Sequence, residues 1–307
     1  MDPSQDVGRQ RQGRALSPDE RRAWDEDGFF IRPRAFGEDE LEALRAAAER
    51  VAERARAAVL TCEESYQVDG NRYCEAAGAT IQLEHRPGSE TIRVIEPFHH
   101  LEPVFDRLID SPRLVEPMRA LVGCERVSLF TDKLNFKRPR EGSRFRWHQD
   151  SPYWAHFARH IDQLPNVMLA LDDATERNGC LRIIAGSHRG GLLPGCQGEE
   201  KLAPLFTDPR CFDASREVAA EMPAGSLLFF SPHTVHGSAP NESDQPRRAL
   251  LFTYQPGGER MFKRDAIRDA GRAASVRQAA DVGDHVADLR IGERPTDAPP
   301  CLITWKS

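Results

Sequence analysis

The stretch Phe145-Arg146-Trp147-His148-Gln149-Asp150 decides how the rest of the chain is understood. Phe145 and Trp147 alternate with polar neighbours, and successive side chains on a strand point to opposite faces. A strand here is expected to carry His148 and Asp150 on one face, where an imidazole and a carboxylate can share a metal ion. The spacing alone is weak, because His-x-Asp/Glu occurs three times, at His100-Leu101-Glu102, His148-Gln149-Asp150 and His160-Ile161-Asp162. Only the middle copy lies in a strand-like pattern.

Support comes from the surrounding half of the chain. From residue 126 onward, short β-rich runs appear at Val127 to Phe136, Phe145 to Asp150, Val167 to Leu171, Leu181 to Ile184, Ser226 to Phe230 and Ala249 to Tyr254, separated by Gly, Pro, Asn and Asp turn signals. Such spacing suggests a sandwich or barrel. A third ligand is then sought on another strand, and Ser231-Pro232-His233-Thr234-Val235-His236-Gly237-Ser238 offers two. His233 and His236 are three apart, so on a regular strand only one can join the site. His236 is preferred because the chain turns through Asn241 to Pro246 and returns as Arg247-Arg248-Ala249. In a hairpin closed by that turn, Arg247 would fall roughly opposite His236. Two His and one carboxylate on one face of Fe(II) leave three positions free. A 2-oxo acid can take two and O2 the third, while an Arg forks its donors onto the distal carboxylate.

The first half is more helical. Residues 1–16 are expected to be a flexible tail. Ser17-Pro18-Asp19-Glu20 carries N-cap, N1 proline and N3 acid signals, with Trp24, Phe29, Phe30 and Ile31 as core contacts of the helix it opens. Leu41, Leu44, Ala48, Val51, Ala55 and Val59 fall at helical steps between Glu38 and Leu60. Short strands are predicted at Thr80 to Leu83 and Thr91 to Ile95. A helix opened by Ser111-Pro112 is expected to end near Gly123, kinked or split at Pro117. Residues 190–222 look like a surface insertion that could form a lid, and the Arg- and Ala-rich chain after Pro256 is expected to form a short helix and a tail. The parts are expected to form one domain over 17–307, with a helical part 17–125, a β core 126–256 carrying the 190–222 insertion, and an extension 257–307.

The 307 residues are 39% hydrophobic and 29% charged with a net charge of -6, which fits a soluble globular protein and argues against nucleic-acid binding through overall basicity. Seven Cys include no C-x-x-C pair, so neither a zinc ribbon nor a disulfide framework is signalled and a reducing cytoplasm is expected. No apolar run approaches the roughly 18 residues of a membrane helix, and the opening residues lack a signal-peptide core.

The segments Arg146-Trp147-His148-Gln149-Asp150, Leu171 to Leu181, Ala185-Gly186-Ser187-His188 and His236-Gly237-Ser238, with the early Asp27-Gly28-Phe29, resemble the phytanoyl-CoA dioxygenase family of Fe(II)/2-oxoglutarate oxygenases. The resemblance implies a mainly β fold with flanking helices and a double-stranded β-helix (jelly-roll, cupin-like) core. It implies His148, Asp150 and His236 as iron ligands and Arg247 on the 2-oxoglutarate C5 carboxylate. Ser238 and Trp154 match positions that contact the co-substrate in relatives. A Lys near the first core strand does so in some relatives, and here Lys133 is the candidate, with Lys137 left open beside it. Met168 stands where some family members carry Trp.

Fe(II), 2-oxoglutarate and O2 are the implied cofactor and co-substrates. The implied activity is hydroxylation of a small molecule, such as a secondary metabolite, with neither nucleic acid nor membrane as partner. Relatives that halogenate have a small residue in place of the carboxylate, so Asp150 favours hydroxylation over chloride chemistry. The same iron could also serve desaturation, cyclisation or epimerisation. Two other readings compete: a non-catalytic metal-binding sensor or interaction module, and a cupin-like dioxygenase that uses no 2-oxo acid. His99, His100, His156, His160 and His188 are expected to be structural or surface residues, and Cys180 a small core residue. Pocket walls are expected from Thr91 to Ile95, Val127 to Lys133, Tyr153 to His160 and the 190–222 insertion.

Overall fold

A computed structural model describes residues 15–271 and 276–278. Ser17 accepts a hydrogen bond from the Glu20 amide and the Glu20 carboxylate receives the Ser17 amide, so α1 (Pro18–Asp27) begins on a capping box. Gly28 ends it at φ 82°, where a Cβ would lie 2.4 Å from the His188 ring. Both the left-handed turn and the close approach call for glycine. The chain continues as β1 (Phe29–Arg32), a strand in its own right rather than a set of helix contacts. Helix α2 (Glu38–Leu60) has the expected limits and buries Leu41, Leu44, Ala47, Ala48, Val51, Ala52 and Ala55.

Its partner is the outer face of an antiparallel sheet. In order, that sheet runs β1, β11 (Leu227–Phe230), β8 (Asn166–Ala170), β13 (Ala249–Pro256), β6 (Val127–Asn135), β5 (Ile92–Glu96), β4 (Ala79–Leu83), β3 (Asn71–Ala76) and β2 (Ser65–Val68). A smaller sheet holds β10 (Glu217–Ala220), β9 (Leu181–Ile184), β12 (His236–Ser238) and β7 (Phe145–His148). The period of two on β13 divides two cores: Leu250, Phe252 and Tyr254 join the cluster that contains the α2 residues. Ala249 and Leu251 join a second cluster with Leu181 and Ile183 of the smaller sheet. A fully buried Leu or Phe stabilises by about 1.5–3 kcal/mol, so these faces fix the register as well as the stability. Both sheets line one cavity of about 470 Å³. The architecture is the expected jelly-roll core with helices on one side.

Several expectations need correction. The helix α4 (Pro112–Val122) runs unbroken through Pro117, preceded by an unexpected α3 (Pro103–Ile109). The β2–β3 hairpin was not anticipated. After Pro256 the described chain forms β14 (Ala266–Ala270), paired with β6 and with β15 (Val276–Gln278), where a helix was expected. Residues 1–14, 272–275 and 279–307, which carry most of the expected tails, lie outside the described residues. Cys62 and Cys74 form a disulfide, against the expectation of reduced thiols throughout, while Cys124, Cys180, Cys196 and Cys211 are free. The pairing joins the residue just past α2 to the middle of β3, a proximity made by folding and not by a sequence motif.

Candidate active site

Strands β7 and β12 pair antiparallel with His236 directly opposite His148, so the two imidazoles leave the smaller sheet side by side, ring centres 4.2 Å apart. The expected strand stops at His148, however. Asp150 lies in the turn that follows, where the Asp150 and Ser151 amides both donate to the Pro232 carbonyl. The turn still delivers the carboxylate: Asp150 Oδ2 is 3.8 Å from His236 Nε2, and one donor atom from each of the three side chains lies within 4.8 Å of the others. Among the described residues, this is the group of His, Cys, Asp and Glu side chains able to hold a metal ion.

Each ligand is held for that task. His148 Nδ1 lies 2.7 Å from the Arg146 carbonyl and His236 Nδ1 lies 2.9 Å from the Thr234 carbonyl. A carbonyl can only accept, so both rings donate from Nδ1 and keep the Nε2 lone pair for a metal. Burial, and then the neighbouring His236, push the His148 pKa down to about 3, which keeps that lone pair unprotonated near neutrality. Asn166 on β8 donates to Asp150 Oδ2 at 2.9 Å. His233, rightly set aside as a ligand, spans Ser151 Oγ (2.9 Å from Nδ1) and Asp162 (2.7 Å from Nε2), bracing the Asp150 turn against the loop that leads to His236. Neither Asn166 nor His233 was singled out for this support, because nothing in a sequence marks a polar side chain as facing a ligand.

Arg247 reaches the same cavity by a different route from the one expected. It is not across a hairpin from His236: the chain leaves the smaller sheet after Ser238 and joins the larger one, where Arg247 pairs through its backbone with Lys137. Its guanidinium is buried, lines the cavity and makes no hydrogen bond or ion pair among the described residues, with Nε fully enclosed. Burial lowers its pKa to about 10, so the charge persists at neutral pH. Arg248 points away from the cavity and pairs with Asp172 and Glu49.

Ser238 lines the cavity and accepts from the buried Lys137 side chain at 2.7 Å. Lys137 also donates to Gly179 and Ala239 carbonyls, so it supports the wall instead of facing the space. Burial and Arg247 push it down to about 6. Lys133 does line the cavity, its Nζ 3.9 Å from Asp150 Oδ1 and 5.6 Å from the centre of the Trp154 ring. Trp154 is fully buried against Phe130, and Met168 forms part of the wall. The expected walls contribute Arg93, Val94, Lys133, Tyr153 and, from the insertion, Glu200, Leu202, Leu205 and Phe206. Tyr66, Tyr73 and Gln82 from the hairpin side were missed. Of the histidines expected to be structural, His99 bonds Asp132 and His160 lies 3.2 Å from Gln255, whereas His85 lines the cavity. Burial raises the Cys180 pKa to about 11, as suits a core thiol.

A small metabolite oxygenase architecture emerges again in comparison with known proteins. Residues 24–249 match the family model described as Phytanoyl-CoA dioxygenase (PhyH). The chain is 30% identical to ectoine dioxygenase of Bordetella parapertussis, over 78% of this chain and 75% of that one. It is 30% identical to L-proline trans-4-hydroxylase of Streptomyces griseoviridis over 57% and 73% of the two chains. A crystal structure of EctD from S. alaskensis with 2-oxoglutarate and 5-hydroxyectoine superposes with a TM-score of 0.61 at 25% identity, covering 80% of this chain and 78% of that one. With a family model spanning most of the chain and a metal triad where its motifs fall, this protein belongs to the phytanoyl-CoA dioxygenase family.

Proposed function

We infer that the chain is an Fe(II)/2-oxoglutarate-dependent dioxygenase that hydroxylates an unactivated C–H bond of a small molecule. Overall, one O2 is consumed, one oxygen atom enters the substrate as hydroxyl, and 2-oxoglutarate leaves as succinate and CO2. The carrying observation is a buried, unpartnered guanidinium in the same cavity as a buried His-Asp-His triad. An enclosed cation without a partner is costly, and a small dicarboxylate that chelates a metal at one end would supply the missing anion at the other.

His148, Asp150 and His236 would hold Fe(II), which supplies O2 activation when bound. The protein's own part is positional. The two carbonyls and Asn166 fix the ligands' orientation, Arg247 grips the distal carboxylate with Ser238 beside it, and Trp154 closes the wall. Asp150 would occupy the position that chloride needs in halogenating relatives, which favours hydroxylation over chloride chemistry. Lys133 and Arg247 sit on neighbouring strands but four residues out of step, because Lys133 lies opposite Leu251 while Arg247 lies opposite Lys137. At about 3.3 Å per residue that is roughly 13 Å along the sheet, so the two side chains enter the cavity from well-separated points.

Among the described residues no helix is long and apolar enough to cross a membrane. The cytoplasm remains the proposed compartment, supported by the four free thiols; the Cys62–Cys74 bridge is the feature that a reducing compartment would open. Succinate formation with Fe(II), 2-oxoglutarate and ascorbate tests the activity. Turnover above an Asp150→Ala control is expected, and its absence across a broad metabolite panel would favour a non-catalytic role.

A further inference from the structure

The charged groups of the cavity beyond the triad and Arg247 are unequally committed. Glu96 accepts from Thr131 at 2.8 Å and Lys263 at 2.7 Å, Glu200 from Arg146 at 2.6 Å, and Asp69 from the Leu202 amide at 2.6 Å. Every carboxylate that lines the space therefore has a donor. Among the described residues Lys133 makes no hydrogen bond: the nearby anionic oxygen at 3.9 Å belongs to Asp150, a metal ligand, and Glu96, whose charge it also feels, already accepts from Lys263. In the loaded enzyme, the dication and Arg247 balance Asp150 and doubly charged 2-oxoglutarate, and the Lys133 charge is left over.

Two further donors face the same region. Tyr73, stacked on Tyr66 with ring centres 5.1 Å apart, and Tyr153, edge-on to His148 at 6.0 Å, both line the cavity, and neither hydroxyl has a hydrogen-bond partner among the described residues. Burial raises both phenols, Tyr73 to about 12, so each stays protonated and able to donate. The Lys133 ammonium and the Tyr153 hydroxyl thus border the space beside the triad, with Tyr73 farther along the same cavity and Trp154, Phe206 and Phe262 in its walls.

Resting on the 2-oxoglutarate reading above, we propose that the substrate is a compact molecule bearing an oxyanion, a carboxylate or a phosphonate, which Lys133 receives with the Tyr153 hydroxyl so that a neighbouring C–H bond lies at the metal. A charge-assisted hydrogen bond from a cation held on an aromatic face suits such a group. The cavity volume of about 470 Å³ is shared with 2-oxoglutarate, which limits the enclosed part of the substrate to metabolite size.

The test uses the full chain loaded with redox-inert Mn(II) and saturating 2-oxoglutarate, at constant ionic strength. Methylphosphonate, acetate and uncharged acetamide are titrated by calorimetry. Saturable binding of at least one anion, with acetamide tenfold weaker or worse, is expected, and the preferred anion assigns phosphonate or carboxylate. Lys133→Met should weaken that anion tenfold or more and leave 2-oxoglutarate affinity within twofold, Lys133→Arg should restore it, and Tyr153→Phe should weaken it severalfold. Failure of both anions to bind, acetamide binding as well as acetate, or a Lys133→Met loss falling on 2-oxoglutarate would overturn the proposal. The activity reading is judged separately, by whether 2-oxoglutarate binds the wild-type protein at all.

Discussion

Replacing Arg247 with methionine keeps an apolar side chain of similar reach and deletes the guanidinium. In the empty protein that guanidinium is 4% exposed, still charged at a pKa of about 10, and without a hydrogen bond or ion pair. An unpaired buried charge is destabilising, and apolar replacements of buried charges are often neutral or stabilising by about 1–4 kcal/mol. Without ligand, Arg247→Met should therefore melt at or above the wild-type temperature. With 2-oxoglutarate the sign reverses. Removing one partner of a buried, hydrogen-bonded charge pair costs about 2–5 kcal/mol, and at roughly 1.4 kcal/mol per decade a loss of about 3–4 corresponds to a dissociation constant two to three orders of magnitude weaker. Calorimetric titration of 2-oxoglutarate into the Mn(II)-loaded proteins measures the loss, and Mn(II) affinity itself should hold because Arg247 touches no ligand. A 2-oxoglutarate constant within about threefold of wild type would refute the reasoning. So would an empty variant that melts several degrees lower, since Arg247 would then be a structural residue.

Three further outcomes follow from the same geometry. His233→Ala removes the brace between Ser151 and Asp162 and should weaken metal affinity by about tenfold, in the range for groups that orient ligands, measured by competition with a chelator. Burial alone would raise the Glu96 pKa, but Lys263, Lys133 and Thr131 more than offset that and hold it below the ordinary value. Its depressed folded pKa means stability present above the unfolded value and lost as pH falls through the folded one, so Lys263→Met should cost about 3 kcal/mol at pH 7 and far less near pH 3 in urea unfolding. Gly179→Ala, at φ 76° with a Cβ 2.4 Å from the Ala239 carbonyl and 2.7 Å from Lys137 Nζ, should destabilise by about 2–4 kcal/mol, read from the melting temperature.

The metal triad was legible because its ligands fall in short, strongly patterned segments and because one imidazole-carboxylate pair is two residues apart. The outer helix was legible through its apolar period, down to both ends. The β2–β3 hairpin was not, since Ser65 to Ala76 alternates polar and aromatic residues that are half exposed on both faces, leaving no buried stripe to detect. Strand β14 hid for a related reason: Arg268 is buried by pairing with Asp106 and Asp110, so a charged residue occupies a core position. The Cys62–Cys74 bond and the support from Asn166 and His233 depend on tertiary approach alone.

The error over Arg247 is the most informative. The ten residues between His236 and Arg247 fit a hairpin, and the same ten fit a crossing from one sheet to the other. Asn241 fixes the crossing by donating to the Lys137 and Gln245 carbonyls and accepting from Ser243. The consequence is a division of labour between layers. His148 and His236 are carried by the smaller sheet and Asp150 by the turn that continues it, whereas Arg247 and Lys133 belong to the larger sheet. Metal binding thus depends on a local strand pair, while capture of a dicarboxylate depends on how the two sheets pack through Met168, Leu181, Ile183 and Leu251. Asn166, reaching from the larger sheet to Asp150, is the hydrogen bond by which β8 senses whether that packing has brought the ligand into place. A fold of two facing sheets is therefore what lets one cavity present a metal from one wall and a row of cations from the other.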